Sequence, residues 1–149
     1  MIVGITSKLN KDQGEQLKVL GKKFYAQVGL SGEFHGDTFI ETWGKLMDVG
    51  FARAWLAYET NHVIGAMGVI LSMHMFDGFL TAQECFWFVD PKHRGVAGIK
   101  LFREFENWAK IVGVRRIIVA HVDQADEGAA KFYERNKFKK LETVYVRDQ

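Results

Sequence analysis

The run Val89-Asp90-Pro91-Lys92-His93-Arg94-Gly95-Val96-Ala97-Gly98 puts a strand end, a turn and a glycine-bearing helix start within ten residues. Upstream, Thr81 to Val89 is rich in aromatic and apolar residues, and Pro91, which has no amide hydrogen to give a sheet ladder, ends the strand. Downstream, Ile99, Phe102, Phe105, Ala109 and Val112 recur at spacings of three and four. Leu101 and Trp108 widen that stripe and Gly113 marks its stop, so the segment reads as an amphipathic helix. The first turn of such a helix carries unpaired N–H groups and the positive end of the helix dipole, and an anion is stabilised there without any special side chain. Gly95 and Gly98 keep side chains away from those amides. Together these are the parts of a diphosphate site.

The same residues resemble a known motif. Val-x-Pro-x-x-Arg-Gly followed by a Gly/Ala-rich helix start is similar to the acetyl-CoA-binding motif of the GCN5-related N-acetyltransferase (GNAT) superfamily. A second segment, Asp126-x-x-Ala129-x-x-Phe132-Tyr133-Glu134-Arg135-x-x-Phe138, resembles that family's C-terminal signature Asn-x-x-Ala-x-x-Leu-Tyr-Glu-Lys-x-Gly-Phe. The likeness covers residues 84–146 and extends more weakly, through the order of elements, to the N-terminus. There are departures. Ala97 stands at the middle glycine position, and Ile99 falls where the last small residue belongs, so either Ile99 turns into the core or the loop is one residue shorter. Asp126 replaces the usual Asn, and Lys137 replaces a Gly whose turn would strain any other residue.

The resemblance implies one N-acetyltransferase domain over residues 1–149, built as a central twisted mixed β-sheet flanked by helices. It implies acetyl-CoA as co-substrate and a primary amine, on a small molecule or a protein, as acceptor. The backbone of Phe88 and Val89 would take the thioester arm, and Arg94, Gly95, Val96, Ala97, Gly98 and Ile99 the phosphates, with Asp126 and Tyr133 completing the cofactor contacts. Tyr133 would act as general acid toward the departing CoA thiolate, since a phenol holds its proton at neutral pH. Glu84, in the strand leading to the motif, is the first candidate for the base that deprotonates the amine, and His121 the second. Phe34, Trp43, Trp87 and His74 are candidates for an aromatic acceptor site. The structural alternatives are plain: each of these aromatic residues has a core role open to it, and Glu84 has that of a solvent-facing strand residue.

Composition sets bounds. At 149 residues, 48% hydrophobic and 26% charged, the chain is sized for one domain with a substantial core. The single cysteine, Cys85, cannot form an intramolecular disulfide, and its place in an aromatic strand predicts a buried thiol; a cytoplasmic protein is expected. No apolar run approaches the roughly 20 residues that span a bilayer, and the N-terminus lacks a signal-peptide pattern, so no membrane association is expected. The net charge of +2 divides unevenly: residues 1–90 carry 7 basic and 10 acidic side chains, residues 91–149 carry 13 and 8. The half with the phosphate motif is the basic one. Acids interleave with the bases from Arg94 to Lys110, which argues against a nucleic-acid partner. The five histidines are dispersed and none pairs with Cys85 at ligand spacing, so no metal is expected. A homodimer is compatible with this reading.

From end to end the sequence predicts a strand at Ile2–Thr6, a helix at Lys11–Val28, a Gly-rich loop, and a second helix capped by Asp37 and stopped at Gly50. Strands follow at Ala52–Thr60 and Val63–Met73 around an Asn61-His62 turn, and Asp77-Gly78 marks the next hairpin. After the motif strand and helix come a strand at Arg116–Val122, a short helix at Glu127–Asn136 and a last strand at Phe138–Arg147. The order argues for a mixed α/β sheet. Two other functions stay open on the sequence: a noncatalytic acyl-CoA-binding or structural module with the same fold, and a nucleotide-binding regulator that uses the same helix start.

Overall fold

The computed structural model describes residues 3–120 and 128–149. In chain order its elements are β1 (Val3–Thr6), α1 (Lys11–Tyr25), α2 (Gly36–Asp48), β2 (Ala52–Glu59), β3 (His62–Met73), β4 (Leu80–Val89), α3 (Val96–Val112), β5 (Arg116–Ile118) and α4 (Gly128–Arg135). The strands form one sheet in sequence order, antiparallel up to β4, with β5 added parallel to β4. Hairpins therefore give way to one β4–α3–β5 crossover, as the order of elements predicts.

Local chemistry sets the ends. α1 opens with a capping box, in which Gln13 N–H donates to Asn10 Oδ1 (2.8 Å) and Asn10 N–H donates to Gln13 Oε1 (3.0 Å). It stops at Tyr25, short of the predicted Val28, where turn hydrogen bonds from Gln27 and Val28 take over. α2 is capped by His35, so Asp37 is not its N-cap; the Asp37 carboxylate reaches across to Lys18 of α1 instead. The β2–β3 turn is Thr60-Asn61, one residue earlier than expected, because His62 already pairs with Glu59 and Thr60 adopts the left-handed backbone. Asp77-Gly78 closes the next hairpin as predicted. Asp77 Oδ1 accepts from Phe79 N–H at 3.0 Å, and Arg116 clamps Asp77 Oδ2 at 2.6 Å.

The sheet is packed on both faces. One core lies against α3 and includes Trp55, Met67, Val69, Leu101, Phe102 and Phe105; the other lies against α1 and α2 and includes Leu17, Leu20, Leu56, Phe86 and Phe88. Truncating a fully buried ring such as Phe102 to alanine costs roughly 3–5 kcal/mol. The buried stripe of α3 is Ala97, Gly98, Leu101, Phe102, Phe105 and Ala109, whereas Ile99 and Val112, assigned to it by spacing, face outward.

β4 serves both cores by means of a bulge. Gly68 pairs with Phe86 and Val69 with Glu84, so Cys85 is left without a partner. The extra residue reverses the alternation: Ala82, Trp87 and Val89 join the α3 core, while Phe86 and Phe88 join the other. The Phe86 ring lies so close over Gly68 that a Cβ there would come within 2.3 Å of it. Cys85, expected to be buried, is exposed by the bulge.

Two expectations near the C-terminus fail. β5 is a strand only over Arg116–Ile118, with Val122 outside the described residues, and the segment from Phe138 to Arg147 forms no strand. Leu141, Val144, Tyr145 and Val146 are exposed. Their apolar side chains fall on both alternating faces, so no single face is marked for burial in a sheet.

Candidate active site

β4 and β5 part company. Their parallel ladder runs Thr81–Arg116, Ala82–Ile117, Gln83–Ile118 and then ends, while β4 continues through Glu84 to Val89 paired with β3 alone. That second half, which includes Phe88 and Val89, pairs with no strand on its β5 side among the described residues.

At the end of this half-strand lies the motif loop. Asp90 organises it three ways: its N–H donates to Ile64 C=O (2.7 Å), its Oδ1 accepts from Lys92 N–H (2.9 Å) and its C=O accepts from His93 N–H (2.8 Å). Pro91–His93 form one 3-10 turn. Gly95 then takes φ 97°, a conformation that disfavours any side chain, in open space, and no side chain caps α3 behind it. The first-turn amides of Val96, Ala97 and Gly98 therefore begin a 17-residue helix with its dipole unneutralised from within. Gly98 does less than the motif suggested. It is buried on β4, where a Cβ would make ordinary contact with Trp87 and Val89 at 3.7 Å, so packing and not access to the amides explains its burial. His93 Nε2 stands 3.1 Å from Glu59 Oε2 and ties the loop to the end of β2.

Further along, Glu84 and Tyr133 converge on one peptide. Ala120 N–H donates to Glu84 Oε2 at 3.0 Å, and Tyr133 O–H donates to Ala120 C=O at 2.8 Å. Glu84 is 7% exposed, and its burial pushes the carboxyl up to about 7 against the opposing pull of the Ala120 hydrogen bond. A carboxylate so placed exchanges its proton near neutral pH. Burial, and then the Glu84 charge, push the Tyr133 phenol above its ordinary value, so it stays a neutral donor. The thiol of Cys85 is pushed up to about 11 by desolvation and then by Glu84, which leaves it uncharged.

α4 fixes Tyr133 by its C-terminal turn. Phe138 N–H donates to Tyr133 C=O (3.0 Å) and Lys137 N–H to Glu134 C=O (3.2 Å), with the Phe138 ring against that of Tyr133 at 5.6 Å. Lys137 holds the left-handed position (φ 67°) where the motif carries glycine. Trp87 packs among Phe102, Phe132 and Tyr133, yet its indole N–H, beside the first turn of α3, is buried with no acceptor among the described residues. A buried donor without a partner is rare enough to point to a ligand oxygen. Neither the Trp87 donor, the His93–Glu59 pair nor the Ala120 peptide was legible in the motif, because each depends on which strands meet.

On the opposite face, α1, α2 and β4 border a cavity of about 230 Å³, lined by Phe34 and Trp43 and also by Phe24, Phe39, Phe86 and Phe88. Trp87 and His74 are not part of it: the bulge turns Trp87 to the other core, and His74 sits in the β3–β4 hairpin against Phe76. Asp126 and His121 lie outside the described residues. Among those described, no three His, Cys, Asp or Glu side chains form a metal-binding cluster, and no helix is long and apolar enough to cross a membrane.

Residues 24–138 match the profile of the acetyltransferase (GNAT) family. Among solved structures, a ribosomal-protein-alanine N-acetyltransferase from Brucella melitensis superposes with a TM-score of 0.75 at 20% identity, with both chains fully covered. A Trypanosoma brucei acetyltransferase gives 0.76 at 14% identity, over 99% of this chain and 100% of the other. A predicted acetyltransferase from Clostridium acetobutylicum, in a structure with acetyl-CoA, gives 0.76 at 12% identity, over 99% and 96%. No curated protein matches by sequence.

Proposed function

The chain belongs to the acetyltransferase (GNAT) family, and from that premise we propose that it transfers the acetyl group of acetyl-CoA to a primary amine by direct attack. The observation that carries this reading is the parting of β4 from β5 after Gln83, with the uncapped start of α3 at one end and the Glu84–Ala120–Tyr133 chain beside it. The amides of Val96, Ala97 and Gly98, behind Gly95, suit the diphosphate. The open edge at Phe88 and Val89 suits the amide-bearing arm, and the Trp87 indole supplies one further donor.

In the reaction the amine nitrogen bonds to the thioester carbonyl carbon and the carbon–sulfur bond breaks. The proton lost by the amine goes to Glu84, whose elevated carboxyl is basic enough to accept it. The departing thiolate takes a hydrogen bond or proton from Tyr133, which must first release the Ala120 carbonyl. Holding amine and thioester together supplies much of the acceleration, as much as roughly 7–11 kcal/mol in favourable intramolecular cases.

Calorimetry with acetyl-CoA and a thiol-release assay over an amine panel test the reading. Wild type should bind acetyl-CoA and release CoA with at least one amine. Gly95→Asp, which adds a negative charge and a side chain at a strained backbone position, should bind about 100-fold more weakly while melting cooperatively. Wild-type affinity in that variant would misplace the phosphate site. Tight binding with no amine turned over would favour the noncatalytic module.

A further inference from the structure

The cavity between α1, α2 and β4 is largely apolar. Its walls are mostly aromatic rings, with Val28, Leu30 and Cys85 between them; its one hydroxyl among the described residues, Tyr25, already donates to Ser31 C=O at 3.1 Å, and no charged side chain among the described residues lines it. We propose that it is the acceptor pocket and that it selects a primary amine carried on an apolar group of about one ring and a short chain. This choice of substrate class rests on the acetyl-transfer reading above.

Size and position support the assignment. A volume of about 230 Å³ equals some eight waters at ~30 Å³ each, room for a group of about eight to ten non-hydrogen atoms. The β4 wall of the cavity is Cys85, Phe86 and Phe88, which belong to the half of the strand that β5 does not reach. Chemistry then excludes most amines. A second ammonium or a carboxylate inside the cavity would lose its water and find no partner. The neighbouring surface groove, which shares Phe34, is no substitute: its Lys18 already pairs with Glu15 (2.9 Å) and with Asp37.

The test is steady-state acetylation of 2-phenylethylamine, 1,4-diaminobutane and free lysine by the full chain. The ring-bearing amine should exceed the other two in kcat/KM by at least about 100-fold, the scale on which an apolar pocket and uncompensated charges discriminate. Phe34→Lys, at a half-buried wall position, should raise KM for 2-phenylethylamine at least about 30-fold and leave acetyl-CoA affinity unchanged, whereas Phe34→Leu should stay within about 5-fold. Equal or better use of the diamine or lysine, or an unmoved KM in Phe34→Lys, overturns the proposal. If acetyl-CoA binds but no amine is turned over, binding of 2-phenylethylamine to the CoA-saturated protein, followed by tryptophan fluorescence, decides instead. Saturable binding abolished by Phe34→Lys upholds the pocket, and no binding refutes it. Failure of wild type to bind acetyl-CoA refutes the acetyl-transfer reading alone, since the amine titration can still be run without CoA.

Discussion

The two halves of β4 are continuous in chain and opposite in use. Leu80–Gln83 runs between β3 and β5 and, where β5 reaches it, is paired on both sides; among the described residues Glu84–Val89 is paired on one. The first half contains Thr81 and Ala82, both buried, and the Thr81 hydroxyl donates to Phe79 C=O at 3.0 Å. The second contains a bulge, a buried carboxylate with an elevated proton affinity and a buried indole donor without an acceptor. The Thr81 hydroxyl in the paired half is satisfied from within the protein, as is the Glu84 carboxylate in the second half, whereas the Trp87 indole N–H has no partner among the described residues. On the proposed reading, that contrast separates the part of the strand that holds the fold from the part that would meet acetyl-CoA.

Glu84→Gln should give the largest effect, and in opposite directions for activity and stability. Acetyl transfer should fall about 10³-fold with acetyl-CoA affinity within about 3-fold, and the rise of wild-type rate with pH through about 7, where the carboxylate forms, should vanish. The folded-state value lies above the ordinary 4.5, so the ionised group costs stability as pH rises through the folded value. The variant should therefore be more stable than wild type by about 3 kcal/mol at pH 8, with the difference fading as pH falls toward 4.5. Denaturant melts at the two pH values and a pH–rate profile check both signs.

Tyr133→Phe should slow single-turnover acetyl transfer by about 10²-fold, the low end for a general acid because a thiolate leaves readily. It should also cost about 1 kcal/mol, since the Ala120 carbonyl loses its donor. An unchanged rate at saturating acetyl-CoA would make this tyrosine a structural anchor.

Much of this contrast was open to sequence reading, and the reasons for the rest are physical. Pro91, Gly95 and the apolar stripe from Leu101 to Ala109 are local signals, and they located the strand end, the loop and α3. The pairing of Glu84 with Tyr133 through Ala120 needs residues 36 and 13 positions apart to meet at one peptide, which no local pattern encodes. The bulge at Cys85 is likewise a matter of register against β3. It sent Trp87 to the α3 core, away from the cavity that Phe34 and Trp43 line, and it exposed a thiol expected to be buried. Leu141 to Val146 misled in the other direction, since β-type residues without one apolar face did not make a strand. Lys137 was legible in both senses: a non-glycine residue in a glycine turn, found with the positive φ that the turn demands.

Smaller effects sharpen the same contrast. Trp87→Phe keeps the ring and removes the N–H, so acetyl-CoA should bind about 5–10-fold more weakly with kcat unchanged; equal affinity by calorimetry would leave the buried donor unexplained. Thr81→Val, in the paired half, should cost about 1 kcal/mol in thermal unfolding and leave kcat/KM at the wild-type value. A drop in activity there would erase the boundary at Gln83.

Hydrogen exchange of the backbone amides with and without acetyl-CoA tests that boundary most directly. The account predicts new protection at Phe86–Val89 and at Val96–Gly98, with Leu80–Gln83 and the capped start of α1 at Lys11–Gln13 unchanged. Protection spread evenly along β4, or found only outside β4 and the start of α3, would contradict it.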